Sequence, residues 1–146
     1  MQTNLVWTLK QLYLALDQYG KMQMQKMDLS PTQGALLYYL LAHKGKEICE
    51  ADIHAALGIS KSSVSSTLKT LKQKGYLSTQ ENPQDYRKKQ IVLLEKAYSA
   101  EKRIHANLLA QQKKLCRQIP KERLQCLQED LERMLGNLKE EMEEEI

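Results

Sequence analysis

A chain of 146 residues with 42% hydrophobic and 27% charged residues has the size and make-up of one globular domain. It holds no apolar run of about eighteen residues or more, and its start, MQTNLVWTLK, lacks a basic n-region and small-residue cleavage site, so a cytoplasmic protein without a membrane partner is expected. The formal charge of +4 is uneven: residues 60–96 carry eight Lys/Arg against three Asp/Glu, a local excess that suits either a polyanion or a solvated basic face.

The first predicted element is a helix in which Leu5, Leu9, Leu12, Leu16 and Tyr19 recur every three or four residues, a pattern that Gly20 weakens. A second helix has a complete start signal. Ser30 is the N-cap, Pro31 fits the first helical position and Gln33 completes a capping box, and the helix runs through ALLYYLLA to a stop near Gly45. Residues Glu50 to Leu57 form a short helix with Ile53, Ala56 and Leu57 inward. Gly58 makes a turn, Ile59 anchors it, and Ser60 caps a serine-rich helix that ends at Gly75. Short helix, glycine turn and second helix make a helix-turn-helix.

After Gly75 the period changes. YLSTQ and RKKQIVLL are strand-like, and the turn formers of ENPQDY lie between them, which predicts a hairpin wing. From Glu95 a long helix runs until Pro120 breaks it, and a last helix carries Leu124, Leu127, Leu131, Leu135 and Leu138 on one stripe. The fold class is therefore mainly α with a small β-hairpin wing (α+β). Residues 29–97 form a winged helix-turn-helix lobe, with the recognition helix at about 60–74 and the wing at about 76–94. Residues 1–28 and 98–146 form the N- and C-terminal helices. Their stripes can be buried within one monomer or between two; the preferred reading is a dimerisation region that interleaves two copies in a homodimer.

Serine is a mediocre helix former, yet residues 60–70 hold five serines and two threonines. With Val64, Leu68 and Leu71 inward, the opposite face carries Ser62, Ser66 and Lys69. A DNA major groove is only about 12 Å wide, so small hydroxyls suit a helix that enters it, and lysines neutralise phosphates. The candidate DNA-binding residues on this helix are Ser60, Lys61, Ser62, Ser63, Ser65, Ser66, Thr67 and Lys69. The bland alternatives are a flexible serine-rich loop, or a helix-turn-helix used for protein contact.

The order of these elements, and above all the wing sequence NPQDYRKKQIVLLEKA, resembles the MarR family of winged-helix regulators. Pro83, Asp85 and Arg87 match the family's proline-bearing turn and Asp-x-Arg pair, and Ile91 and Leu93 match its strand. Leu94 and Ala97 depart from it, standing where threonine and glycine are usual. The resemblance implies that Arg87 enters a minor groove, with Asp85 orienting it and Lys88 and Lys89 beside it. It also implies a homodimeric, sequence-specific regulator of double-stranded DNA that reads a near-palindromic operator. The implied action is repression, released by a small aromatic ligand or an oxidant. Trp7, Tyr13, Tyr38 and Tyr39 are the candidate ligand-binding residues, with core packing as the alternative.

Nothing in the sequence suggests catalysis, a cofactor or a metal. There is no G-x-S-x-G, no phosphate loop and no H-x-x-x-H pair among His43, His54 and His105. Cys49, Cys116 and Cys126 are widely spaced, which argues against a disulfide framework; they are buried thiols or oxidant sensors. The rival function is a winged-helix protein-interaction module without specific DNA binding.

Overall fold

The computed structural model describes residues 4–144, with the side chains of Tyr86, Arg87, Lys88 and Glu144 excepted. Helix α1, Leu5–Met24, starts where Asn4 Oδ1 accepts from the Trp7 amide at 3.0 Å. It runs straight through Gly20, which is buried. A 3₁₀ turn, Gln25–Met27, ends at Asp28 in the left-handed region (φ 54°). Helix α2, Pro31–Ala42, begins with the expected capping box: the Ser30 hydroxyl accepts from the Gln33 amide, and Gln33 Oε1 accepts from the Ser30 amide, both at 3.1 Å. Gly34 lets α1 close on α2, since a Cβ there would lie 2.9 Å from Met24 Cε.

Helices α3, Glu50–Leu57, and α4, Lys61–Gln73, flank a turn in which Gly58 adopts φ 69°. That region is nearly free of strain only for glycine. Ile53 is fully buried and Leu57 packs at the edge of the core, but Ala56, expected inward, is exposed. It lies roughly 60° round the helix from Ile53, and an eight-residue helix fills little more than one line of contact.

Strands β1, Leu77–Asn82, and β2, Asp85–Leu93, pair antiparallel with Leu77 opposite Leu93 and Thr79 opposite Ile91. The expected six-residue loop is shorter. Pairing extends to Asn82 opposite Asp85 after a register shift at Glu81/Asn82, which leaves Pro83 and Gln84 as the turn. Turn-forming residues mark where a chain can reverse, and backbone pairing decides how far the strands reach.

Helix α5, Glu95–Leu115, starts without a hydroxyl cap. The Ala97 and Tyr98 amides donate to the Leu94 carbonyl at 3.0 and 3.4 Å. The helical run is interrupted before Pro120, five residues earlier than expected, and the Pro120 carbonyl accepts the Leu124 amide at 3.0 Å as α6, Lys121–Glu144, opens. The chain divides into two compact units within α5, one up to Leu108 and one from Leu109. The first unit holds the core: Leu36, Leu37, Ile53, Val64, Leu71, Leu77 and Ile104 are all fully buried. Each contributes about 1.5–3 kcal/mol of apolar burial. In the second, Leu127, Leu135, Leu138 and Met142 of α6 are exposed. Among the described residues, no helix is long and apolar enough to cross a membrane, and no group of three His, Cys, Asp or Glu residues could hold a metal.

Candidate nucleic-acid interface

Helix α4 has two faces. Val64, Thr67, Leu68 and Leu71 are buried, while Lys61, Ser62, Ser65, Ser66 and Lys69 are exposed and Ser63 is half-buried. The inward Val64, Leu68 and Leu71 and the outward Ser62, Ser66 and Lys69 lie on the faces that their spacing predicts, whereas Thr67, a candidate outward hydroxyl, does not. It is only 8% exposed and sits on the core side. Positions 64, 67, 68 and 71 form one helical stripe, so Thr67 belongs with the leucines.

The outward hydroxyls are partly committed. Ser60 Oγ accepts from the Ser63 amide at 3.1 Å as the N-cap and lies 3.1 Å from Ser62 Oγ. Ser66 donates back to the Ser63 carbonyl at 3.2 Å, and Thr70 to the Ser66 carbonyl at 3.0 Å. Each oxygen still has lone pairs, and the rotors can turn toward an incoming donor or acceptor.

Residues that the sequence pattern did not single out hold this helix in place. His54 Nδ1 donates to the Ile59 carbonyl and so pins the turn between α3 and α4. Lys72 Nζ donates to Thr79 Oγ1 at 3.0 Å, tying α4 to the wing. Lys74 reaches back to the Asp28 carbonyl and to Gln33 Oε1, joining the end of α4 to the start of α2. Lys96 donates to the Lys74 carbonyl at 2.6 Å and lies over the Tyr76 ring, 4.4 Å from its centre. Tyr76 is buried and donates its hydroxyl to the Met27 carbonyl at 3.2 Å. Burial raises its pKa, the charge of Asp28 raises it further, and Arg103 opposes both. No local motif announces these bonds, which join residues far apart in the chain. Lys72 and Lys96 remain exposed while they make these bonds, and Lys74 is half-buried.

On the wing, Asp85 is half-buried opposite Asn82, and Lys89 is exposed opposite Glu81. Arg87 and Lys88 lie in β2, but their side chains are outside the described residues. The four aromatic candidates have different surroundings. Trp7 and Tyr13 are 59% and 69% exposed on α1. Tyr38 stacks on His105 with ring centres 5.9 Å apart, and Tyr39 lies against His43 at 4.3 Å. The clefts beside the wing and beside Tyr76 are lined by none of the four. Cys49, Cys116 and Cys126 are all free thiols; Cys126 is exposed and the other two are half-buried, so none has the full burial expected of a packing cysteine.

A helix-turn-helix followed at once by a two-stranded hairpin defines a winged helix. Residues 27–88 match the family model described as MarR family. Solved structures agree in fold over nearly the whole chain. The transcription regulator MarR from Oenococcus oeni PSU-1 is 26% identical, with a TM-score of 0.78, covering 91% of this chain and 99% of its own. The S. aureus MepR–DNA complex has a TM-score of 0.88 at 22% identity, covering 93% and 99%. A putative MarR family transcriptional regulator from Listeria monocytogenes, complexed with 26mer DNA, has a TM-score of 0.86 at 15% identity, covering 96% and 92%. Among curated proteins none matches significantly. Residues 27–88 thus resemble the MarR family, and the chain shares the fold of solved MarR-family regulators.

Proposed function

We propose that this chain is a homodimeric, sequence-specific regulator that binds double-stranded DNA and represses transcription until a small ligand or an oxidant releases it. The observation that carries the reading is the outward face of α4. Lys61, Ser62, Ser65, Ser66 and Lys69 stand exposed together on a helix whose other side is buried. This face is narrow enough for a major groove, with hydroxyls for base edges and phosphates and lysines for counterion release. Ser60 and Ser63 line its N-terminal end, where a recognition helix makes most base contacts. Arg87, oriented by Asp85, enters the flanking minor groove, where a narrow groove concentrates negative potential, and Lys88 and Lys89 follow the backbone.

The dimerisation region, 1–28 with 98–146, is a division by role around the 29–97 DNA-binding lobe. Its support is bare apolar surface: Leu5, Val6, Leu9, Leu12 and Leu14 on α1, and the α6 leucines. A two-fold dimer sets two recognition helices roughly 34–36 Å apart on a near-palindromic operator. Such a regulator works in the cytoplasm, has no catalytic role, and needs neither metal nor cofactor. DNA-bound relatives of the same fold add support. The candidate ligand-binding residues for release are Trp7, Tyr13, Tyr38 and Tyr39. The second reading, a protein-interaction module, draws on one observation: Lys74 lies 3.8 Å from an Asp28 carboxylate oxygen, which offsets one charge of the basic segment.

The test is selection of bound duplexes from a random pool. The proposal expects an inverted repeat whose half-sites are centred about 10 base pairs apart or a multiple of that. Recovery of no shared sequence would favour the interaction module.

A further inference from the structure

We propose that the turn at Asp28 is a joint that fixes the tilt of α4 against α1, and that Lys74 and Tyr76 are positioning residues which, by holding it, set the operator spacing that a dimer accepts. The spacing half rests on the dimeric DNA-binding reading above; the joint does not.

Asp28 has φ 54° and ψ 36°, a left-handed geometry that residues with a side chain seldom adopt and that persists where the surroundings hold it. Here the surroundings are the far end of another helix. The Tyr76 hydroxyl donates to the Met27 carbonyl at 3.2 Å, and Lys74 Nζ donates to the next carbonyl, that of Asp28. Lys74 also donates to Gln33 Oε1 at 3.0 Å, the oxygen that closes the α2 capping box. Lys74 is the C-cap residue of α4, and Tyr76 follows it by two. Met24, Met27 and Leu29 are buried on either side of the turn, and Asn107 of α5 donates to Met27 Sδ at 3.5 Å. Lys96 in turn donates to the Lys74 carbonyl at 2.6 Å and covers the Tyr76 ring. The last carbonyls of a helix are ordinarily satisfied within a residue or two of its end. After α1, two consecutive carbonyls instead accept from residues 46 and 49 positions away in the chain, so a change of tilt between α1 and α4 strains both bonds at once.

The lever is long. Helix α4 has 13 residues, about 20 Å at 1.5 Å each, with the joint at one end and Ser60 to Ser63 at the other. A tilt of about 10° at Lys74 therefore carries the reading end by about 3–4 Å, one base step along a strand. Helix α1 carries the bare apolar side chains Leu5, Leu9 and Leu12 on which a second copy docks in the dimeric reading, so the same bonds relate each reading helix to the two-fold axis.

Anisotropy of the full-length protein on three duplexes tests the spacing half: the selected inverted repeat, the same repeat with one base pair added at its centre, and a single half-site. The natural chain should bind the lengthened repeat more weakly than the selected one. Lys74→Met and Tyr76→Phe should each narrow that ratio by about fivefold or more, the low end of couplings between separate sites. Tyr76→Phe, which alters no charge, should also leave half-site affinity unchanged, and Lys74→Arg, which keeps donor and charge, should restore the ratio. A natural chain indifferent to the added base pair, or a ratio unchanged in both variants, would overturn this half. Amide hydrogen exchange without DNA tests the joint on its own. Both variants should speed exchange at residues 27–30 together with residues 71–76, and unchanged exchange at 27–30 would overturn the joint. If selection yields no inverted repeat, the function reading fails while the exchange measurement still decides the joint.

Discussion

Ser66 and Thr67 are adjacent hydroxyl residues with opposite positions: Ser66 is exposed and Thr67 is packed against the core. Thr67→Val should therefore leave sequence preference unchanged and alter stability by no more than about 1 kcal/mol. A changed preference in binding-site selection would place Thr67 at the DNA instead. The sequence could not separate the pair by residue type, because threonine serves either face and only the stripe through 64, 68 and 71 distinguishes them. Tyr76 offers a pH test. Its raised pKa means the folded chain keeps the phenol proton longer than the unfolded chain does. The stability this contributes is fully present below about pH 10 and declines as pH rises through the folded-state value. Tyr76→Phe loses the bond to the Met27 carbonyl, so it should be less stable by about 0.5–1.5 kcal/mol at neutral pH. The gap should narrow in alkaline denaturation curves, and a constant gap would show that Tyr76 does not titrate differently on folding.

At the scale of elements, the proposed function divides the labour of binding between α4 and the wing. Arg87→Ala should weaken affinity uniformly across sequences and flatten the salt slope by about one, the signature of a lost phosphate or groove cation. Ser62→Ala should instead change the selected sequence more than Lys69→Ala does. Identical selection profiles would remove the serine face from base reading. The capping box at Ser30–Gln33, the α3 limits and the glycine turns were legible because each depends on residues close in sequence. The wing's extra pairing, the His54–Ile59 bond and the Lys72–Thr79 tie were not. They depend on which distant backbone atoms meet, and no local pattern encodes that. Arg87 was legible only through its match to the family's wing.

Across the whole molecule, the bare apolar side chains of α1 bear on assembly. Leu12 is 39% exposed in a single chain, so Leu12→Glu should not cost the core a packed side chain. It should, however, bury a charge in a dimer interface. Sedimentation should give a dimer for the natural chain and a folded monomer for the variant; a natural chain that sediments as a monomer would contradict the two-fold arrangement. The terminal helices were legible from their stripes, but their partner was not, because an apolar stripe states only that something must cover it. The central claim is specific DNA binding by the α4 face. The most direct measurement is fluorescence anisotropy of the full-length protein on the selected duplex and on random duplex, across a salt series. The account predicts a preference of about 10³-fold or more for the selected duplex, with a steep negative salt slope. Weak binding that is equal on both duplexes would contradict it.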